Sequence, residues 1–144
     1  ELFTGTCVMA GCDYLPSIKG GGIKTAHGAV SKYRNLDNAL AFLRQKKHLK
    51  DEIPGDYAFS FRLALRTFQH ARVFDPDIGG LRPLTPLPKD LLAPDADTDF
   101  LGPEMPPGVA AAIAGGKVHP KTFRPFQFAP GDTELSLERE TGGG

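Results

Sequence analysis

The sequence predicts a mainly α-helical chain with a short β-hairpin and an extended, proline-rich C-terminal segment. Apolar residues recur at helical spacing through the first half of the chain. A run of three glycines, residues 20–22, separates two of these helical segments, and most of the 13 prolines lie after residue 75. The 144 residues suit one domain, and an apolar content of 40% is enough for a helical core.

Four helices are predicted in the first half. The first runs from Phe3 to Cys12 and stops before Pro16 and the glycines, because proline lacks an N–H and glycine permits positive φ. Apolar spacing resumes at Ile23 for a second helix, and Asn35 is a suitable N-cap for a third. The fourth helix, residues 56–70, carries aromatic and aliphatic side chains that we assign to the core rather than to base stacking: Tyr57, Phe59, Phe61, Leu65 and Phe68.

The second half has weaker elements. Residues 71–75 and 81–84 predict a short β-hairpin, limited by Pro76 and Pro83. Residues 83–107 predict extended chain, and Pro107 suits the first turn of a small helix that ends at Ala114. We expect three regions: the helical part at 1–75, a C-terminal wrap at 76–128 and a disordered tail at 129–144.

The net charge of zero conceals a local excess of positive charge. Between residues 15 and 50 there are eight lysines and arginines, and Asp37 is the one acidic residue. Such a segment suits a polyanion-binding surface, although a solvated helical face would have the same composition.

The same composition excludes several other classes of protein. Two cysteines exclude a disulfide scaffold, and the four histidines lack the spacing of a zinc site. No apolar run is long enough to span a membrane, and the chain opens without a secretory leader. We therefore expect no membrane partner and a reducing intracellular compartment.

The pattern of helix, glycine turn and helix is typical of a helix-hairpin-helix. Its glycines let the backbone approach a DNA phosphate, and the N–H groups that open the second helix point at that anion. Contacts of this kind follow the backbone and carry no sequence information. An ordinary connector between helices remains the alternative. The candidate DNA-binding residues are Ser17, Lys19, Gly20, Gly21, Gly22, Ile23, Lys24 and Lys32.

Asp13 is the candidate catalytic residue. It follows an apolar helix and precedes the phosphate-binding turn by four residues, a position suited to a metal ion near a scissile phosphate. The alternative is a turn aspartate that bonds to local N–H groups.

The segment from Phe3 to Ala26 resembles the flap endonuclease family of 5′ nucleases. The resemblance rests on Gly11-Cys12-Asp13-Tyr14, followed by Ser17-Ile18-Lys19-Gly20-Gly21-Gly22. It continues through segments that look most like the exonuclease 1 branch, particularly its plant versions: residues 31–33, 54–57, 67–75, 100–104 and 112–115.

The resemblance implies a Mg²⁺-dependent phosphodiesterase that acts on 5′ ends and flaps of duplex DNA. It implies work in DNA repair and recombination, a nuclear location and contacts with repair proteins. Asp13 matches the last of the family's two-metal carboxylates in chain order. In the family, backbone carbonyls of the turn hold a K⁺ ion, and the matching positions here are Ala10, Ser17 and Gly21. Gly21 replaces a branched residue, and Ala10 lacks the hydroxyl of some relatives.

The family's other metal-binding carboxylates lie upstream of this motif. We therefore expect this chain to be the C-terminal part of a nuclease domain that supplies one Mg²⁺ ligand, binds duplex DNA weakly and does not cleave it alone. Two alternatives stay open. One is a non-enzymatic helix-hairpin-helix DNA-binding module, and the other is a protein-interaction domain that recruits a partner through residues 83–107.

Overall fold

The computed structural model describes residues 1–127, so the tail expected at 129–144 lies outside the described residues. The helices are α1 (Leu2–Ala10), α2 (Ile23–Tyr33), α3 (Leu36–Gln45), α4 (Tyr57–His70) and α5 (Pro107–Ala114). One two-stranded sheet pairs β1 (Arg72–Asp75) with β2 (Gly80–Pro83). Single turns of 3₁₀ helix occur at Lys50–Glu52, Lys89–Leu91 and Asp99–Leu101. The predicted fold class, mainly helical with a short β-hairpin, is confirmed.

The chain forms two compact units. The first comprises Glu1–Arg72 and Pro83–Pro103. Its core is built from α1 to α4 and the segment that joins α3 to α4, with Met9, Leu43 and Leu49 completely buried. Among the described residues, the second unit contains Val73–Arg82 and residues 104–127. Within the described residues, no helix is both long and apolar enough to cross a membrane.

The helix ends follow local chemistry. The side-chain oxygen of Asn35 accepts a hydrogen bond from the Asn38 N–H at 2.9 Å, so the predicted N-cap of α3 is confirmed. Pro107 occupies the first turn of α5, as predicted. α1 ends two residues earlier than predicted, at Ala10, because Gly11 adopts a φ of 110° that a helix cannot continue.

Two aromatic assignments on α4 are wrong. Tyr57 and Phe61 are buried as expected, but Phe59 is 68% exposed and Phe68 is 43% exposed. Helical spacing fixes the direction in which a side chain points but not the width of the surface that covers it. The core therefore covers a narrower stripe of α4 than the sequence pattern indicates.

The proline-rich segment is mostly extended but contains two unpredicted 3₁₀ turns. Each carries one buried leucine, Leu91 and Leu101. Arg72 fixes the second turn, since its guanidinium donates to the carbonyl oxygens of Thr98 and Gly102. The two turns are thereby anchored by Leu91 and Leu101, while most of the residues between them are exposed.

Candidate nucleic-acid interface

Asp13 lies in a tight turn directly after α1. The N–H of Cys12 donates to the Leu15 carbonyl at 2.8 Å, and the N–H of Leu15 donates back to Cys12 at 3.2 Å. Asp13 and Tyr14 are the two residues at the tip, and both are exposed. The buried Leu15 anchors this turn in the core, so the Asp13 carboxylate is held at the surface of a fixed backbone.

A second turn follows at the glycines. The Gly21 N–H donates to the Ile18 carbonyl at 2.7 Å, and Gly20 has a φ of 78°. A turn that needs positive φ at its third residue is of type II and favours glycine there. Ile18 is buried, whereas Ser17, Lys19 and Gly20 are exposed. Ile18 thus anchors the turn in the core, while Ser17, Lys19 and Gly20 face solvent.

Gly21 is adapted to this turn by its lack of a side chain. A Cβ at position 21 would lie 3.0 Å from the Ile18 Cβ and 3.1 Å from the Ile18 carbonyl oxygen. A branched side chain here would force Ile18 to shift. The departure from the family pattern at this position therefore has a local packing reason.

The start of α2 presents uncapped backbone donors. Gly22 is the N-cap residue, and no side chain caps the helix. Its carbonyl accepts from Thr25 and Ala26, but no acceptor among residues 1–127 pairs with the N–H groups of Gly22, Ile23 or Lys24. All three residues are exposed. N–H groups of this kind at a helix N-terminus attract anions.

The lysines around the turn differ in their surroundings. Lys19 is 85% exposed, with its Nζ 3.8 Å from Glu52. Lys24 is exposed next to the glycines. The Nζ of Lys32 lies 4.9 Å from the centre of the Phe42 ring.

Three arginines on or just after α4 already have bonding partners. Arg62 pairs with Asp37 at 2.9 Å, Arg66 pairs with Asp90 at 2.6 Å, and Arg72 holds the carbonyls described above. These three arginines therefore already have acidic or carbonyl partners, whereas Lys24 and Lys32 are exposed and form no ion pair within the described residues.

The end of α1 and the glycine turn meet at Gly11. A Cβ at this position would lie 2.9 Å from both the backbone nitrogen and the Cβ of Ser17, so only glycine permits the approach. Carbonyl oxygens of Ala10, Ser17 and Gly21 receive no hydrogen bond from the part of the chain that the structure describes. Unpaired neutral oxygens can coordinate a monovalent cation, and the K⁺ ligands that the resemblance implies stay a prediction.

The fit to magnesium is different. Among residues 1–127, no group of three or more His, Cys, Asp or Glu side chains could hold a metal ion. Hard divalent cations need several oxygen ligands, and a two-metal site needs more. The described residues supply Asp13 and do not make up a magnesium site by themselves.

Sequence reasoning missed two aromatic contacts near these turns. The rings of Tyr14 and Phe68 meet edge to face at 5.3 Å, next to Asp13. Lys46 also lies over the Phe42 ring, at 5.1 Å. The Tyr14–Phe68 contact has no sequence signal because it joins separate elements, whereas Phe42 and Lys46 are four residues apart at the end of α3, a spacing that places them on one helix face.

Known proteins resemble the chain over almost its whole length, although no family model matches it. Exonuclease 1 of Arabidopsis thaliana is 39% identical over 96% of this chain and 18% of its own length. Exonuclease 1 of Xenopus laevis is 34% identical over 96% of this chain and 19% of its own length. Flap endonuclease 1 of Cryptosporidium parvum is 38% identical over 42% of this chain and 12% of its own length.

The chain therefore spans less than a fifth of the length of these relatives. The match to exonuclease 1 includes both the Asp13 turn and the glycine turn, since it covers nearly every residue. Over that span, the chain belongs to the exonuclease 1 branch of the flap endonuclease family of 5′ nucleases.

Proposed function

We propose that this chain is the C-terminal part of a 5′ nuclease domain and that its own task is to dock the backbone of duplex DNA. The uncapped N-terminus of α2, at the exposed glycine turn, carries the proposal. Its three unpaired N–H groups and the neighbouring Lys19 and Lys24 match the needs of a phosphate. The names of the relatives support a nuclease and hence a DNA substrate.

Two ions belong to this proposal. Carbonyls of Ala10, Ser17 and Gly21 would hold K⁺, and none of them accepts a hydrogen bond from a described donor. Asp13 would supply one Mg²⁺ ligand, and the other carboxylates would come from another part of the nuclease. A role on 5′ ends and flaps in DNA repair, in the nucleus and with repair proteins, rests on the resemblance alone.

A second candidate function is a non-enzymatic DNA-binding module. The described residues hold no group of three or more side chains that could bind a metal ion, which agrees with this candidate and with an incomplete nuclease part alike. Both candidates dock the duplex backbone, and they differ in whether Asp13 takes part in catalysis within a larger nuclease.

Incubation of the purified chain with a 5′-flap duplex and Mg²⁺ tests the proposal. We expect the chain to bind the duplex and to leave it uncut, because one carboxylate cannot assemble a two-metal site. Denaturing gels would report cleavage, and fluorescence anisotropy would report binding. Mg²⁺-dependent cleavage that Asp13→Ala abolishes would contradict the assignment as an incomplete nuclease part, and failure to bind duplex would contradict docking.

A further inference from the structure

Two lysines from different elements share one aromatic ring. Lys32, in the last turn of α2, has its Nζ 4.9 Å from the centre of the Phe42 ring, and Lys46, at the end of α3, has its Nζ 5.1 Å from the same centre. Both distances are within the range of a cation–π contact. The two ammonium groups therefore lie at most about 10 Å apart, the sum of these distances.

The ring and the second lysine are firmly placed. Phe42 packs against the core and meets Tyr33 at 5.1 Å between ring centres. Lys46 is the C-cap of α3: its N–H donates to Leu43 at 3.1 Å, and its carbonyl accepts from Leu49 and Lys50 at 2.9 Å each. The pair is thus held by helix ends and a half-buried ring rather than by a loose loop.

Like charges this close repel each other, and no acidic side chain within residues 1–127 forms an ion pair with either lysine. The one acidic residue in the segment 15–50 is Asp37, and Arg62 already binds it at 2.9 Å. An anion in contact with both ammonium groups would offset this repulsion. The cation pair therefore suits a phosphate group.

We propose that Lys32 and Lys46 form a second phosphate contact for the duplex that the glycine turn docks. This inference rests on the proposed function and extends it along α2. Lys24 and Lys32 are eight residues apart, which places them about 12 Å apart along the helix axis and about 80° apart around it. One strand of duplex DNA carries a phosphate for about every 3.4 Å of axis, so both points can contact the same strand a few nucleotides apart.

Salt titrations of duplex binding by the full 144-residue chain test the pair. Lys46→Gln should reduce the slope of log affinity against log salt by about one unit, as expected for the loss of one phosphate contact. Lys47→Gln is the matched control, because Lys47 is exposed in the same segment and has no ring contact with the described residues. Its slope should stay within half a unit of the unchanged chain.

Lys24→Gln separates this inference from the proposed function. A lower slope for Lys24→Gln, with Lys46→Gln equal to the Lys47→Gln control, would overturn the cation pair and leave docking by the turn intact. A lower slope for Lys46→Gln alone would support the pair and count against the turn. A chain that binds no duplex would overturn both.

Phe42→Leu tests whether the ring positions the lysines. The Phe42→Leu variant keeps both lysine charges and the apolar packing. Its slope of log affinity against log salt should therefore fall by less than that of the Lys32→Gln/Lys46→Gln double variant. A folded Phe42→Leu variant, checked by circular dichroism, with an unchanged slope would overturn the role of the ring.

Discussion

The hydroxyl of Tyr57 is buried and has no hydrogen-bond partner among the described residues. Burial, and to a lesser extent the charge of the Cys12 thiolate, raise the pKa of Tyr57 from 10.0 to about 12. The ring itself stacks on Phe61, with centres 6.5 Å apart. At this position the aromatic ring stabilises the core while its hydroxyl is a desolvated polar group.

Tyr57→Phe should therefore keep the packing and remove the cost of the buried hydroxyl. We expect the free energy of unfolding at neutral pH to stay equal or to rise by about 1 kcal/mol. In the unchanged chain the folded state holds the proton to a higher pH than the unfolded state does. The contribution of the Tyr57 proton to the free energy of unfolding is therefore complete below pH 10 and is lost as the pH rises towards about 12.

Urea unfolding at neutral pH and above pH 10 would measure both effects. The difference between Tyr57→Phe and the unchanged chain should widen in favour of the variant as the pH rises, since the variant has no proton to lose at this position. A loss of more than about 1 kcal/mol at neutral pH would instead mean that the hydroxyl makes a stabilising hydrogen bond.

Single residues were predictable where the neighbouring chain alone decides their state. Asn35 and Pro107 act as a cap and a first-turn residue because hydrogen bonds within one turn determine those roles. Phe59 and Phe68 were not predictable, because exposure depends on which other elements cover α4. Asp13 stays a prediction as a metal ligand, and the structure places its backbone in an exposed turn.

Among the secondary-structure elements, the glycine turn serves both folding and the proposed docking. Gly20 is important for the backbone conformation, and Gly22 lies beside the proposed phosphate contact. A Cβ at Gly20 would lie 3.6 Å from the Leu49 side chain, which is an ordinary van der Waals contact. Because Gly20 has a positive φ, the cost of a substitution there is backbone strain. Gly22 has no atom within 4 Å of a would-be Cβ and has negative φ, so a methyl group fits there without crowding.

Alanine variants at Gly20 and Gly22, with a control at Gly28, separate the role in folding from the role in docking. Gly20→Ala should lower the free energy of unfolding by about 1–2 kcal/mol, the cost of a left-handed residue with a Cβ. Gly22→Ala should change the free energy of unfolding by less than about 1 kcal/mol, because alanine is a weaker N-cap than glycine. It should weaken duplex binding, because the added methyl group lies beside the N–H donors. Thermal unfolding and anisotropy would measure the two properties.

Gly28→Ala is the matched control within α2. Gly28 is exposed in the middle of the helix with open space around it, so alanine should raise stability by about 0.5–1 kcal/mol and leave duplex affinity unchanged. Equal duplex affinities for Gly22→Ala and Gly28→Ala would contradict phosphate docking at the N-terminus of α2.

Element types were predictable because helical spacing, glycines and prolines act locally, and all five helices and the hairpin are found close to their expected places. Contacts between elements were not. The Lys32–Phe42–Lys46 cluster joins the ends of α2 and α3, and the approach of Gly11 to Ser17 joins two turns. These contacts depend on how the helices pack, which no local pattern specifies.

Across the whole chain, the family segment combines an exposed Asp13 carboxylate in a tight turn with exposed lysines on and beside α2. It spans less than a fifth of its exonuclease 1 relatives, and its described residues lack a complete divalent-metal site. We propose duplex docking for this segment, and we propose cleavage for a larger nuclease of which it is part. Docking to the backbone has two physical signatures, dependence on salt and indifference to sequence.

The affinity of the chain for two duplexes of unrelated sequence, measured at several salt concentrations, tests docking to the DNA backbone. We expect equal affinities whose logarithm falls steeply and linearly with log salt. Lys19→Glu, whose exposed side chain flanks the turn, should lower the affinity for both duplexes equally. A loss confined to one sequence, or an affinity that does not change with salt, would contradict docking to the DNA backbone.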